Sequence, residues 1–194
     1  MKRLKEIVNK NLTGNKVLLL FVLTNLIYAV MLLVTIPKTM TFSNGMKLLD
    51  MMPTGYDPAY INALFETLGE NGREVYLYNQ IPVDMIYPLL FGISYCLLFA
   101  FFLKKLNKLN STFFYLSLLP IIAGIADYLE NLGIIIMLNN YPNQSQVSMD
   151  ATNIFSIIKS MTTTLFFVAL IITLLILGFR TIKARQAKTS NVGR

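Results

Sequence analysis

TFFYLSLLPIIAGIADYLENLGIIIML, Thr112 to Leu138, decides how this chain must be read. The stretch is 27 residues long and apolar apart from small polar side chains, except at Asp127, Glu130 and Asn131. A helix needs about 20 apolar residues to cross the hydrocarbon core of a bilayer, so the stretch is long enough to span. On a helix, positions 127, 130 and 131 project from one narrow arc. A charged side chain near the bilayer centre costs about 3 kcal/mol on insertion scales. Such side chains face a protein interior or a watery cavity and carry a partner, which makes this stretch the place to look for function.

Three more stretches have the same character. Val17 to Ile36 is 20 residues without a charge, and Met85 to Leu103 and Met161 to Phe179 are 19 each. The 194 residues are 55% hydrophobic and only 14% charged, with a mean hydropathy of +0.56, against roughly 25% charged residues in a soluble domain. The expected fold is therefore an all-α integral membrane protein, a bundle of four spanning helices at 17–36, 83–103, 112–138 and 154–179. The first stretch follows a basic segment, as a secretory leader does. Its apolar core exceeds the roughly 7–15 residues of such leaders, and no small-x-small site follows, so it reads as an uncleaved anchor.

The net charge of +7 is distributed as a topology signal. Of 17 Lys and Arg, five precede Val17, three lie between the second and third stretches, and five lie from Arg180 onward. The positive-inside rule places these segments, and both termini, in the cytoplasm. All acids but Glu6 then fall on the other side or within the membrane. The basic residues suit anionic lipid head groups, and no aromatic interleaving supports a nucleic-acid partner. Expected partners are membrane lipids, a small-molecule or cationic ligand, and further copies of the chain. The histidine-free composition fits a bacterial plasma membrane.

Several chemistries are excluded. The chain has no histidine, so no His-ligated haem, His-box iron site or Ser-His-Asp triad exists. The single cysteine, Cys96, gives no disulfide framework and no CxxC pair. No cofactor and no metal site is assigned. Acid–base chemistry is left to carboxylates, Tyr and Lys.

Outside the spans, residues 1–16 read as a basic surface segment, 104–111 as a short cytoplasmic loop and 180–194 as a basic, disordered tail. Residues 37–82 form the longest connection, too long to lack structure of its own. Asp57-Pro58 is a helix start, with Asp as N-cap and Pro in the first turn. Ile61, Leu64, Phe65 and Leu68 follow i, i+3, i+4, i+7. A short amphipathic helix near 58–68 is expected, ended by Gly69 or Gly72 and lying on the membrane surface or over the bundle mouth. Tyr76 and Tyr78 read as interfacial aromatics. Pro88 should kink the second span or free a carbonyl, and Ser111 should cap the third. Residues 139–153 form a second outer loop.

The candidate site gathers Asp127, Glu130 and Asn131 with Asp84, at the outer start of the second span, Lys159, entering the fourth from outside, and Arg73 from the long loop. Polar groups concentrate in the outer half, whereas CLLFAFFL and LIITLLILGF in the inner halves are apolar. This implies an outward-facing acidic pocket over an apolar plug. Asp127 and Glu130 would supply charge or proton exchange and Asn131 would orient, with Asp84, Arg73 and Lys159 at the mouth. Each also has a plain reading: Asp84 on the helix dipole, Lys159 snorkelling to head groups, Arg73 solvated, and the two acids in a buried ion-pair network. Asp127-x-x-Glu130-Asn131 resembles one aspartate-rich motif of membrane prenyltransferases. Those use two such motifs on a larger bundle, and this chain has one, so that reading is set aside. Three function classes remain: a component that binds or helps transport a small amphipathic or cationic ligand, an integral enzyme using the carboxylate pair on a lipid or isoprenoid, and a structural or assembly protein.

Overall fold

A computed structural model describes residues 2–192, and every regular element among them is helical. A short helix α1 (Lys2–Lys10) leads into α2 (Gly14–Met40), which passes through a wider π-type turn at Met31–Thr35. A 3₁₀ turn, Leu49–Met51, interrupts the loop that follows. Helix α3 (Pro58–Val75) continues through a second π-type turn, Tyr76–Gln80, and a last helical turn, Ile81–Asp84. Helix α4 is Tyr87–Lys105, and α5 (Leu119–Asn139) is entered through 3₁₀ turns at Thr112–Leu118. Helix α6 is Gln146–Val192. Four helical runs are long and apolar enough to cross a membrane: Gly14–Met40, Pro58–Lys105, Thr112–Asn139 and Gln146–Ala184.

The caps expected from the sequence are in place. Asp57 Oδ1 accepts from the Tyr60 N–H at 2.7 Å, and Ser111 Oγ accepts from the Phe113 N–H at 3.3 Å. The stripe of Ile61, Leu64, Phe65 and Leu68 is buried. It packs with Leu48, Leu49, Tyr76, Ile134 and Met137 into an apolar cluster that roofs one end of the molecule, here called the loop end.

The long loop keeps one expectation and corrects another. The helix from Pro58 is broken at Gly69, as its sequence implied, with φ 61° and ψ −176°; helix then resumes and runs on towards α4. The Arg73 guanidinium donates to the Phe65 carbonyl at 2.8 Å across the break, so the chain turns without orphaning that group. Tyr76 is not an interfacial aromatic but fully buried, whereas Tyr78 is exposed. The basic tail also departs from expectation: α6 carries on from Arg180 to Val192. Extending an existing helix needs no new nucleation, and Ala, Arg, Lys and Gln in this segment are good helix formers.

Helices α4 and α5 form the centre. Their apolar windows are 56% and 50% buried, against 17% for α2 and for α6, which therefore flank the pair. Small residues bring the backbones together. A Cβ on Gly124 would lie 2.6 Å from the Pro88 carbonyl oxygen, and one on Gly92 3.4 Å from that of Pro120. On the other side of α5, a Cβ on Gly133 would collide with the Thr152 side chain of α6. Helix α2 packs along α4, with Thr24 Oγ1 donating to the Leu90 carbonyl at 3.3 Å, and α6 packs along α5. Among the described residues no comparable packing joins α2 to α6. At the opposite, basic end, Val8 and Leu12 close over Cys96, Ala100 and Phe114.

Candidate functional site

The site begins at a helix break that the sequence enforces. Proline has no N–H, so the carbonyl four residues before Pro88, that of Asp84, has no helical donor. The side chain of Asn131 supplies one from α5, Nδ2 donating to the Asp84 oxygen at 3.4 Å. This tie holds Asp84 at the end of the α3 extension, against the middle of α5. Asn131 is fully buried, and its Oδ1 has no hydrogen-bond partner among the described residues.

One turn along α5, Asp127 and Glu130 both meet Lys159 of α6. Lys159 Nζ lies 3.2 Å from Asp127 Oδ1 and also pairs with Glu130 Oε2. These are the two ion pairs among the described residues. The Glu130 side chain is fully buried behind the ammonium, and its Oε1 has no hydrogen-bond partner there. Tyr56, in the loop before α3, is buried nearby. Burial first, and the Glu130 charge second, push its phenol well above the ordinary range, so it stays protonated. Its backbone N–H is fixed by Asn153 Oδ1 of α6 at 2.8 Å.

A cavity of about 530 Å³ opens beside this network. Asp84, Asp127 and Lys159 line it, with Asp50 from the 3₁₀ turn. Asn25, Tyr28 and Leu32 of α2 form one wall and Ser160, Thr163 and Phe167 of α6 another. Tyr87, Phe91 and Tyr95 descend along α4 in an aromatic ladder, with successive ring centroids 5.6 and 4.8 Å apart. Below it, Phe99 and Phe166 are fully buried and pack with Leu103 and Leu170. Asn25 has two parts: its Oδ1 accepts from the Tyr95 hydroxyl at 3.4 Å, and it lines the cavity.

Of the six residues named from the sequence, the structure therefore brings together Asp84, Asp127 and Lys159 on the cavity wall, with Glu130 and Asn131 directly behind them. Arg73 stands apart. Its guanidinium sits 4.2 Å from the Tyr141 ring centroid and bonds the Phe65 carbonyl, and it does not line the cavity.

Asp50 is the residue that sequence reasoning passed over. Its Oδ1 accepts from the Tyr76 hydroxyl at 2.7 Å and its Oδ2 from Gln80 Nε2 at 3.2 Å, while Gln80 Oε1 accepts from Thr35. Tyr76 and Gln80 are the ends of one π-type turn, and Thr35 ends the other. Such turns mark functional sites more often than chance allows, and here two of them meet to set one carboxylate. The available signal was an acid isolated among apolar residues, LLDMM at 48–52.

The balance of charge is the site's main chemical property. Four carboxyl groups, Asp50, Asp84, Asp127 and Glu130, surround one ammonium, and that ammonium is already shared by two of them. No group of three such side chains among the described residues is placed to hold a metal ion. Carboxyl groups in excess of ammonium can exchange protons or attract a cation. Comparison with family models, with curated proteins and with solved structures finds no match to this chain, so the functional reading rests on these side chains.

Proposed function

We propose that this protein is a multi-pass membrane protein that binds, or helps to transport, a small cationic or amphipathic ligand in the acidic cavity between α2, α4, α5 and α6. The observation that carries this reading is the excess of carboxylates on the cavity wall. Asp50, Asp84 and Asp127 line it, and the one cation there among the described residues, Lys159, is engaged by Asp127 and Glu130. An acid that is costly in a membrane and lacks a protein cation is kept for a partner from outside the chain. The volume of about 530 Å³ suits a small organic molecule. Basic residues flank the spans at one end, so both termini are proposed to be cytoplasmic and the cavity to lie in the outer half of the membrane.

A second reading has its own observation. Lys159 joins α6 to α5 through Asp127 and Glu130, and Asn131 joins α5 to the Asp84 carbonyl. Glu130 and Asn131 thus hold the helices together, which leaves Asp84 and Asp50 as the cavity carboxylates without an ion pair among the described residues. The test is thermal stability of purified protein titrated with a water-soluble amine series, wild type against Asp84→Asn. Saturable stabilisation that is lost in Asp84→Asn supports the ligand reading. Equal curves for the two proteins would leave only the structural one.

A further inference from the structure

The cavity's outlets say what kind of cation reaches it. At its loop end the lining residues are Asp50 and Met51, both partly exposed, and Pro53, beside the fully buried Leu48, Leu49, Leu64 and Phe65. Its floor, Phe91 and Tyr95, is backed by the buried Phe99 and Phe166. The most exposed lining residues are Tyr28 and Leu32 of α2, Thr164 and Phe167 of α6, and Pro53 at the upper corner. Tyr28, Leu32 and Phe167 line the cavity and yet are 41%, 43% and 37% exposed. These residues flank the seam where α2 and α6 fail to pack. The cavity therefore opens sideways, at the height of two spanning helices, where the surroundings are acyl chains.

We infer that the ligand is a membrane-dissolved amphiphile with a protonated amine head and a hydrocarbon body, which enters between α2 and α6. The inference rests on the acidic-cavity reading and adds the route and the ligand class. Two gradients support it. Carboxylates stand at the loop end of the cavity, where a head group lies, and the aromatic ladder lies deeper. Tyr28 stacks on Tyr87 with ring centroids 5.3 Å apart, and Phe167 lies 5.7 Å from Tyr95, so the seam is edged by aromatic faces on both sides. Aromatic faces attract ammonium groups when water is excluded and accept hydrocarbon equally well. A neutral or anionic amphiphile of the same length gains the second contact and not the first.

The chain has no tryptophan, so Phe167→Trp places a single reporter on the seam, with Leu32→Trp as a second, independent one should the first perturb folding. The full chain is placed in phosphatidylcholine nanodiscs and titrated with a chain-brominated C18 amine, and separately with the matching brominated alcohol. The expected result is saturable quenching by the amine, with half-saturation about tenfold lower than for the alcohol, and collapse of that difference in Asp84→Asn. Equal quenching by amine and alcohol would overturn the amine head. If both match quenching by brominated bulk lipid while water-soluble butylammonium still stabilises the protein, the sideways route is overturned and the acidic-cavity reading survives. If neither the C18 amine nor butylammonium has any effect, both are overturned.

Discussion

The Asn131 amide donates its hydrogen to the Asp84 carbonyl, the one group in α3 and α4 that Pro88 deprives of a helical donor. A helix break that would be intolerable in lipid is thus satisfied by the neighbouring helix, as broken spans require. The same bond sets a cavity carboxylate at a fixed height on α5.

Asn131→Asp keeps the shape but replaces the donor by an acceptor that faces another acceptor. A buried hydrogen bond lost in this way costs about 1–3 kcal/mol. Pro88→Ala restores the missing N–H and with it the helical partner of the Asp84 carbonyl. The two substitutions should be strongly non-additive, the second recovering much of the stability lost in the first. A double-mutant cycle by thermal denaturation measures this, and simple additivity would show that the bond carries no weight.

Glycines on α5 and α6 should respond oppositely to alanine. At Gly124 the new methyl would sit 2.6 Å from the Pro88 carbonyl oxygen, which is backbone and cannot swing away. At Gly178 nothing lies within 4 Å. Gly124→Ala should separate α4 from α5 and lower the melting temperature, with a cost of about 1–3 kcal/mol for overpacking. Gly178→Ala should be neutral or stabilising by up to about 1 kcal/mol, the ordinary gain of alanine in a helix. Equal effects at the two positions would mean that the α4–α5 approach is looser than the structure has it.

What could be read in advance follows from what is local. Four spans were legible because a bilayer imposes length and polarity on each separately, and the acids of α5 because a charge among apolar residues is costly wherever the chain goes. The Asp57 cap and the break at Gly69 are likewise written in neighbouring residues. Asp50, Tyr76, Gln80 and Thr35 were not legible as a group. Their meeting depends on two π-type turns and on contacts between residues 26 to 45 positions apart. Arg73 misled for the same reason: a loop cation between acids looks like a site residue until the Phe65 carbonyl and Tyr141 are seen to claim it.

Lys159 and Asp84 should part ways on neutralisation. Lys159→Met leaves Asp127 and Glu130 buried without a cation, and removing one partner of a buried pair costs about 3–5 kcal/mol. Glu130→Gln in that background should recover part of the loss. Asp84 forms no ion pair among the described residues and is 3% exposed, so Asp84→Asn should be as stable as the wild type or more so. Melting curves of the four proteins decide the matter. A large loss in Asp84→Asn would place that residue in the structural network and remove the main support for a ligand site.

Tyr56 gives a stability difference that depends on pH. Burial and the Glu130 charge hold its phenol protonated in the folded protein well above the ordinary value, which is about 10 for a free tyrosine. Below pH 10 both folded and unfolded chains keep the proton, and the group contributes no pH dependence. As pH rises past 10 the unfolded chain ionises while the folded one resists, so stability drains away through this group. Tyr56→Phe removes the ionisation and also a buried hydroxyl that has no well-formed hydrogen bond among the described residues. The variant should match the wild type within about 1 kcal/mol near neutrality and overtake it progressively between pH 10 and 11. Parallel melting curves across that range would mean that the phenol ionises as freely in the folded chain as in the unfolded one, and that Tyr56 is neither sealed from water nor beside a charged Glu130.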